Sequence, residues 1–140
     1  VVSNSFFGPI MRTRNPITVD RKNASVDFVK MMSEGKQKLI RGESLIIFPE
    51  GTRNVNFDPK KFNKIGIKLA KNTNSFIVPI ALKTDVWKNG RILKDLGGID
   101  KKKKIHIKFG EPVKAWENGK QKHEDILRFI ESHINQWSKG

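Results

Sequence analysis

The chain has 140 residues, 36% of them hydrophobic, and carries 28 Lys and Arg against 14 Asp and Glu, a formal charge of +14. That length supports one domain with a modest core, and the charge favours an anionic partner: nucleic acid, an anionic membrane surface or a phosphorylated substrate. With no Cys, disulfides, thiolate nucleophiles and cysteine metal sites are excluded; no apolar run approaches the ~18 residues that cross a bilayer, and no signal-peptide pattern opens the chain.

Residues 1–10 are apolar and contain the turn Phe6-Phe7-Gly8-Pro9. Arg12 and Arg14 follow, then the turn signal Asn15-Pro16. Ile17-Thr18-Val19 reads as a short strand that ends on the charged cluster Asp20-Arg21-Lys22-Asn23. Ser25 is the expected N-cap of a helix in which Phe28, Met31, Met32, Gly35 and Leu39 recur on one face, with Lys30, Glu34, Lys36 and Lys38 elsewhere. Arg41-Gly42 is its stop signal, and the two Met are read as core. Ser44-Leu45-Ile46-Ile47 then reads as a buried strand that stops at Phe48-Pro49-Glu50-Gly51-Thr52-Arg53. Pro49 ends ladder pairing, Gly51 allows close backbone approach, and Glu50 and Arg53 ride a tight turn at the strand's carboxyl end, where open α/β sheets bind ligands. Arg53 offers a permanently charged fork suited to a phosphate; a local Glu50–Arg53 surface ion pair is the competing reading.

Asp58-Pro59 predicts a second helix, Pro at its first position, with Phe62, Ile65, Leu69 and Ala70 inward and Lys61, Lys64, Lys68 and Lys71 on another face. That basic stripe suits anionic headgroups or a nucleotide, or is a solvated face. Residues 72–75 form a turn. Phe76 to Leu82 is an apolar strand interrupted at Pro79, so it lies at an edge or bulges there. Residues 87–98 are loop-like and lysines 101–104 a solvated run. Ile105, Ile107 and Phe109 alternate with His106 and Lys108, predicting a strand whose apolar side is covered; Gly110-Glu111-Pro112 ends it. Ile126, Leu127, Ile130, Ile134 and Trp137 share one face of a closing helix, with His123 and His133 near it as satisfied structural histidines. Together these predict one α/β domain over 1–140: strand, helix, strand, helix, strand, strand, helix, the first part pairing in parallel through right-handed crossovers.

Phe48 through Arg53 resembles, at every position, the third signature block of the glycerolipid (lysophospholipid) acyltransferases, the family that includes 1-acyl-sn-glycerol-3-phosphate acyltransferase. Val19-Asp20-Arg21 is similar to the second block, Ile-Asp-Arg, with Asn15 where the family usually has Gly; Asn is the next most tolerant residue of unusual backbone angles. Val78-Pro79 resembles the fourth block. Phe62-Asn63-Lys64-Ile65-Gly66 is similar to a Phe-Lys-Lys-Gly stretch but one residue longer before its Gly, and no role is carried over. The resemblance implies a mixed, partly parallel sheet of the glycerol-3-phosphate acyltransferase kind. It implies acyl transfer from acyl-CoA or acyl carrier protein to the hydroxyl of lysophosphatidic acid or a related lysophospholipid. Arg21 and Arg53 then hold the acceptor's phosphate with Asp20, Glu50, Gly51 and Thr52 around it, and Val78 and Pro79 border the acyl donor. No metal or redox cofactor is implied, and the expected setting is the cytoplasmic face of an anionic membrane, without nucleic acid.

The family's catalytic first block is a His, four residues, then an Asp. At that spacing His106, His123 and His133 are followed by Glu111, Arg128 and Ser138, so no match exists; His106 with Glu111 is a late near-miss on a strand. The expectation is a domain incomplete at its N-terminus, with Val1 just after the catalytic block, and a 140-residue piece inactive alone. Two alternatives come from other classes: a non-catalytic module that binds anionic lipid through the lysine stripe, and a nucleic-acid binder. The second requires basic residues interleaved with exposed aromatics, whereas the aromatics here fall mainly on apolar faces.

Overall fold

The structure, a computed structural model, describes residues 15–20, 22–50, 57–84, 86 and 98–139. The chain clusters into two compact units that divide between Ile46 and Ile47. Among the described residues, helices and short antiparallel ladders make up the regular structure, a mixed α/β composition.

The first unit is built on helix α1, Ala24–Ile40. Its N-cap is Asn23, not the expected Ser25: the Asn23 side-chain oxygen accepts from the N–H groups of Ser25 at 3.0 Å and Val26 at 3.2 Å, satisfying donors that have no partner within the helix. The stop falls where Arg41-Gly42 predicts it. Gly42 takes φ +80°, and the N–H groups of Gly42 and Glu43 return to the carbonyls of Leu39 and Lys38, each at 3.0 Å, a closing motif that needs a left-handed residue at Gly42. Phe28, Met31, Met32 and Leu39 are half-buried and Gly35 is buried, as the spacing predicts. Lys38, expected among the outward charges, is buried instead. Its ammonium lies 3.1 Å from the Glu43 carboxylate, which also receives Arg41 at 2.7 Å. Hydrogen bonds from Arg41 and then Lys38 hold the Glu43 carboxyl below its usual range. A long apolar stem with a partnered tip accounts for the buried Lys.

Neither Ile17-Thr18-Val19 nor Ser44-Leu45-Ile46-Ile47 pairs in a ladder among the described residues, and Ile46 is 79% exposed. The buried strand expected before Phe48 is therefore not formed there. β-propensity expresses fit to neighbouring strands rather than an intrinsic backbone preference, and no described strand lies beside this run. The parallel pairing expected of the first half is likewise not seen among the described residues.

In the second unit the single helix expected from Pro59 is two pieces. Asp58 accepts from the Lys60 N–H at 3.0 Å and starts a 3-10 turn, Pro59–Lys61. The chain then extends through Phe62, and helix α2 runs Ile65–Thr73. The break falls at Asn63, whose side-chain oxygen accepts from the Ile65 N–H at 3.1 Å, the kind of local bond that competes with a helical ladder. Asn74 at φ +50° ends α2.

Strands β1 (Phe76–Ile77) and β2 (Ile80–Lys83) replace the one interrupted strand. Their partners differ: β1 pairs with β4 (Val113–Lys114), and β2 with β3 (His106–Phe109), both antiparallel. Pro79 lies in the break and has no N–H to continue either ladder; its carbonyl accepts from the Gly110 N–H at 2.8 Å. Helix α3, Gly119–Ser138, is capped by Asn118 and packs along β2. Ala81, Ile126 and Ile130 are buried at that contact, with Phe62, Ile77, Phe129, Ile134 and Trp137 around them. Gly110 lies close to the Phe129 ring: a Cβ there would stand 3.0 Å from it, so the ring would have to give by a few tenths of an ångström.

Strand β3 forms as predicted but is covered on the opposite side. Ile105, Ile107 and Phe109 are more than half exposed, while His106 is half-buried and stacks on Trp137 with ring centroids 5.1 Å apart. Alternation tells which residues share a face; here the covered face is chosen by α3, which approaches over the small Ala81 and brings Trp137 to His106.

Candidate functional site

Asp20 belongs to the first unit and Glu50 to the second. In the first unit, Asp20 is exposed and its N–H donates to the Asp27 carboxylate at 3.2 Å. Lys30 reaches Thr18 Oγ1 at 3.4 Å. The segment before Asp20 is thus tied to the first two turns of α1. Asn15, which takes the family's Gly position, adopts φ +44°, a left-handed conformation in which Asn is enriched over most other residues. Arg21 lies outside the described residues.

In the second unit, Phe48 is 73% exposed, and Pro49 and Glu50 are half-buried in a turn. The Pro49 carbonyl accepts two hydrogen bonds from Asn63: the backbone N–H at 3.1 Å and the side-chain Nδ2 at 2.5 Å. Gly51, Thr52 and Arg53 lie outside the described residues. Val78 is 45% exposed beside Pro79, which is buried.

The lysine stripe is split by the helix break. Lys61 sits on the 3-10 turn with its ammonium 3.7 Å from Asp58, Lys64 stands just before α2 without a side-chain capping bond, and Lys68 and Lys71 lie on α2; all four are exposed. Of the histidines, His133 is satisfied as expected, its Nδ1 2.8 Å from the Phe129 carbonyl. His123 is not: it is buried with no hydrogen-bond partner at Nδ1, its ring 5.9 Å from Phe62. Burial, and after it the positive charge of Lys64, push its pKa down, with Glu124 opposing. Among the described residues no group of three His, Asp or Glu side chains is placed to hold a metal ion, and no helix is long and apolar enough to cross a membrane.

A family model described as Acyltransferase matches residues 1–83, more than half of the chain. The chain belongs to this family. It is 34% identical over 76 residues to a 1-acyl-sn-glycerol-3-phosphate acyltransferase of Pseudomonas aeruginosa, a stretch covering 54% of this chain and 30% of that protein. It is 42% identical over 59 residues to a protein of the same name from Borreliella burgdorferi, covering 42% of this chain and 21% of that protein. The matches thus span less than a third of either curated relative. No solved structure matches. The family match takes in both charged blocks and the Val78-Pro79 pair, all of which the sequence singles out; Asn63 was noted only within a stretch to which no role was carried over, and its own signal was an Asn inside a helical pattern.

Proposed function

We propose that the protein transfers a fatty acyl group from a thioester, acyl-CoA or acyl carrier protein, to the free hydroxyl of lysophosphatidic acid or a related lysophospholipid. The observation that carries this reading is the complete Phe48-to-Arg53 hexapeptide inside a chain of the Acyltransferase family. In this scheme Arg53 and Arg21 grip the acceptor's phosphate by charge-assisted hydrogen bonds, about twice as strong as neutral ones. Asp20, Glu50, Gly51 and Thr52 shape the surrounding backbone, and Val78 and Pro79 border the acyl donor.

The reaction needs a base to take the hydroxyl proton as the oxygen attacks the thioester carbonyl and the thiolate leaves. A His oriented by a carboxylate fits that task near neutral pH. No His here has an Asp at the family's spacing, and these 140 residues alone turn over no substrate. The acyl thioester is the one co-substrate, with no metal or redox cofactor. The same reading places the protein on the cytoplasmic face of an anionic membrane, and gives it a partly parallel sheet of the glycerol-3-phosphate acyltransferase kind.

The test is Arg53→Ala in the intact enzyme. Loss of a hydrogen bond to a charged group costs about 1.5–3 kcal/mol, so kcat/KM for 1-acyl-sn-glycerol-3-phosphate falls about 10- to 100-fold, with the KM for acyl-CoA little changed. Wild-type kinetics would overturn the assignment.

A further inference from the structure

We propose that His123 is a pH-sensitive latch: its neutral imidazole holds the segment from Phe57 to Lys64 against the start of α3, and protonation of the ring releases that segment. Buried polar side chains are ordinarily hydrogen-bonded. His123 is 6% exposed, yet its Nδ1 has no hydrogen-bond partner in the protein. What it has is a row of rings. Phe62 lies 5.9 Å away, and Phe57 stands edge-on to Phe62 at 6.0 Å. Both phenylalanines pack against the buried cluster of Ala81, Ile126 and Ile130. The start of α3 also meets α2, since a Cβ on Gly119 would stand 3.1 Å from Ile67. The segment's backbone bonds run elsewhere: Lys61 N–H to the Asp58 carbonyl at 3.0 Å, Phe62 N–H to Pro59 at 3.3 Å, and Asn63 N–H to Pro49 at 3.1 Å. None of these bonds reaches α3, where the segment is met by rings.

A contact of that kind suits a neutral imidazole and penalises a charged one. An imidazolium there carries an Nδ1–H with no acceptor, in surroundings that solvate charge poorly. The charged groups that bear on the ring are Lys64, just before α2, and Glu124, its neighbour on α3. Burial first and Lys64 second push its pKa down, and Glu124 opposes them. His133 differs, because its Nδ1 lies 2.8 Å from the Phe129 carbonyl and keeps an acceptor in either state. Once the segment swings away, the His123 ring is hydrated and titrates near 6.5. The open form therefore binds the proton more tightly than the closed one. The latch is fully closed above about pH 7 and weakens as pH falls through the folded-state value. It is independent of the chemistry proposed above.

Amide hydrogen exchange on the intact protein from pH 7 to pH 5, corrected for the intrinsic rate at each pH, reads the latch directly. Each pH unit between the two titration points multiplies opening by up to about tenfold. Protection at Lys61, Phe62, Asn63 and Ile65 is expected to fall about 3- to 10-fold over that range, while amides of the β2–β3 ladder keep theirs. In His123→Leu, which fills the site with an apolar side chain, protection at the same four amides should be flat. Flat protection in the wild type overturns the proposal, and so does an equal fall in His123→Leu. A fall shared by the β2–β3 amides also overturns it, because that is unfolding of the whole unit rather than release of one segment. Should His123→Leu fail to fold, Lys64→Gln decides in its place. Removing that ammonium lessens the penalty on the charged ring, so a smaller fall supports the latch and an undiminished one overturns it.

Discussion

The two units hold themselves together by different means. Among the described residues the first is tied mainly by bonds close in sequence, Asn23 to Ser25 and Val26, Gly42 to Leu39 and Glu43 to Lys38, with Lys30 reaching Thr18 from 12 positions away. The second relies on contacts between distant segments: Pro79 with Gly110, Gly110 against Phe129, Asn63 with Pro49, His106 on Trp137. Local bonds form as soon as the backbone turns, and each contributes about 1 kcal/mol. Distant contacts fail together, because one displaced element opens several interfaces. The difference predicts that damage is contained in the first unit and spreads in the second.

The strongest test of that contrast is Gly110→Ala. The added methyl meets the Phe129 ring at 3.0 Å, where overpacking costs about 1–3 kcal/mol. The expected result is a lower thermal midpoint accompanied by loss of amide protection along both β2 and α3. A loss confined to residues near 110 would break the comparison. A smaller effect is expected from Gly42→Ala, which forces a side chain into φ +80° with open space around it. The cost is about 1 kcal/mol, and faster amide exchange is confined to the last turn of α1.

The mildest test is a slope in pH. The folded-state pKa of His123 is depressed by burial, so between that value and the unfolded value of about 6.5 the unfolded chain binds more protons. The stabilisation from neutral His123 is complete above about pH 7 and is lost as pH falls through the folded pKa. Thermal midpoints measured from pH 7 to pH 5 should fall more steeply for the wild type than for His123→Leu. Parallel curves would show that the ring is solvated when charged.

The same division governs how much was legible in the sequence. Helix α1 was readable to within a residue or two at each end, because caps and the Gly42 stop are local chemistry. Asn15 as a stand-in for Gly was readable for the same reason, and φ +44° agrees. The interruption at Pro79 was readable because Pro lacks a donor; that the two halves would pair with different partners was not. Which side of β3 is covered depended on α3, which comes later in the chain, and alternation carries no information on that. The helix break at Asn63 was missed because apolar spacing outweighed a side chain that competes for the backbone. For the candidate site, the blocks at Asp20-Arg21 and Phe48-to-Arg53 were found from residue identity alone; the clamp on Pro49 depends on a fold-level contact and surfaced only with the structure.

Lys83, near the end of β2, reaches the carbonyl of Trp137 at 2.9 Å and the hydroxyl of Ser138 at 3.3 Å. A cation at a helix's carboxyl end answers the partial negative charge of its unpaired carbonyls, and this one comes from 54 positions away. The tail of α3 is therefore latched rather than frayed. Cutting α3 short before Trp137 would unseat Lys83 and remove the aromatic lid from His106, so the end of this helix acts as a fastener for strands laid down much earlier in synthesis.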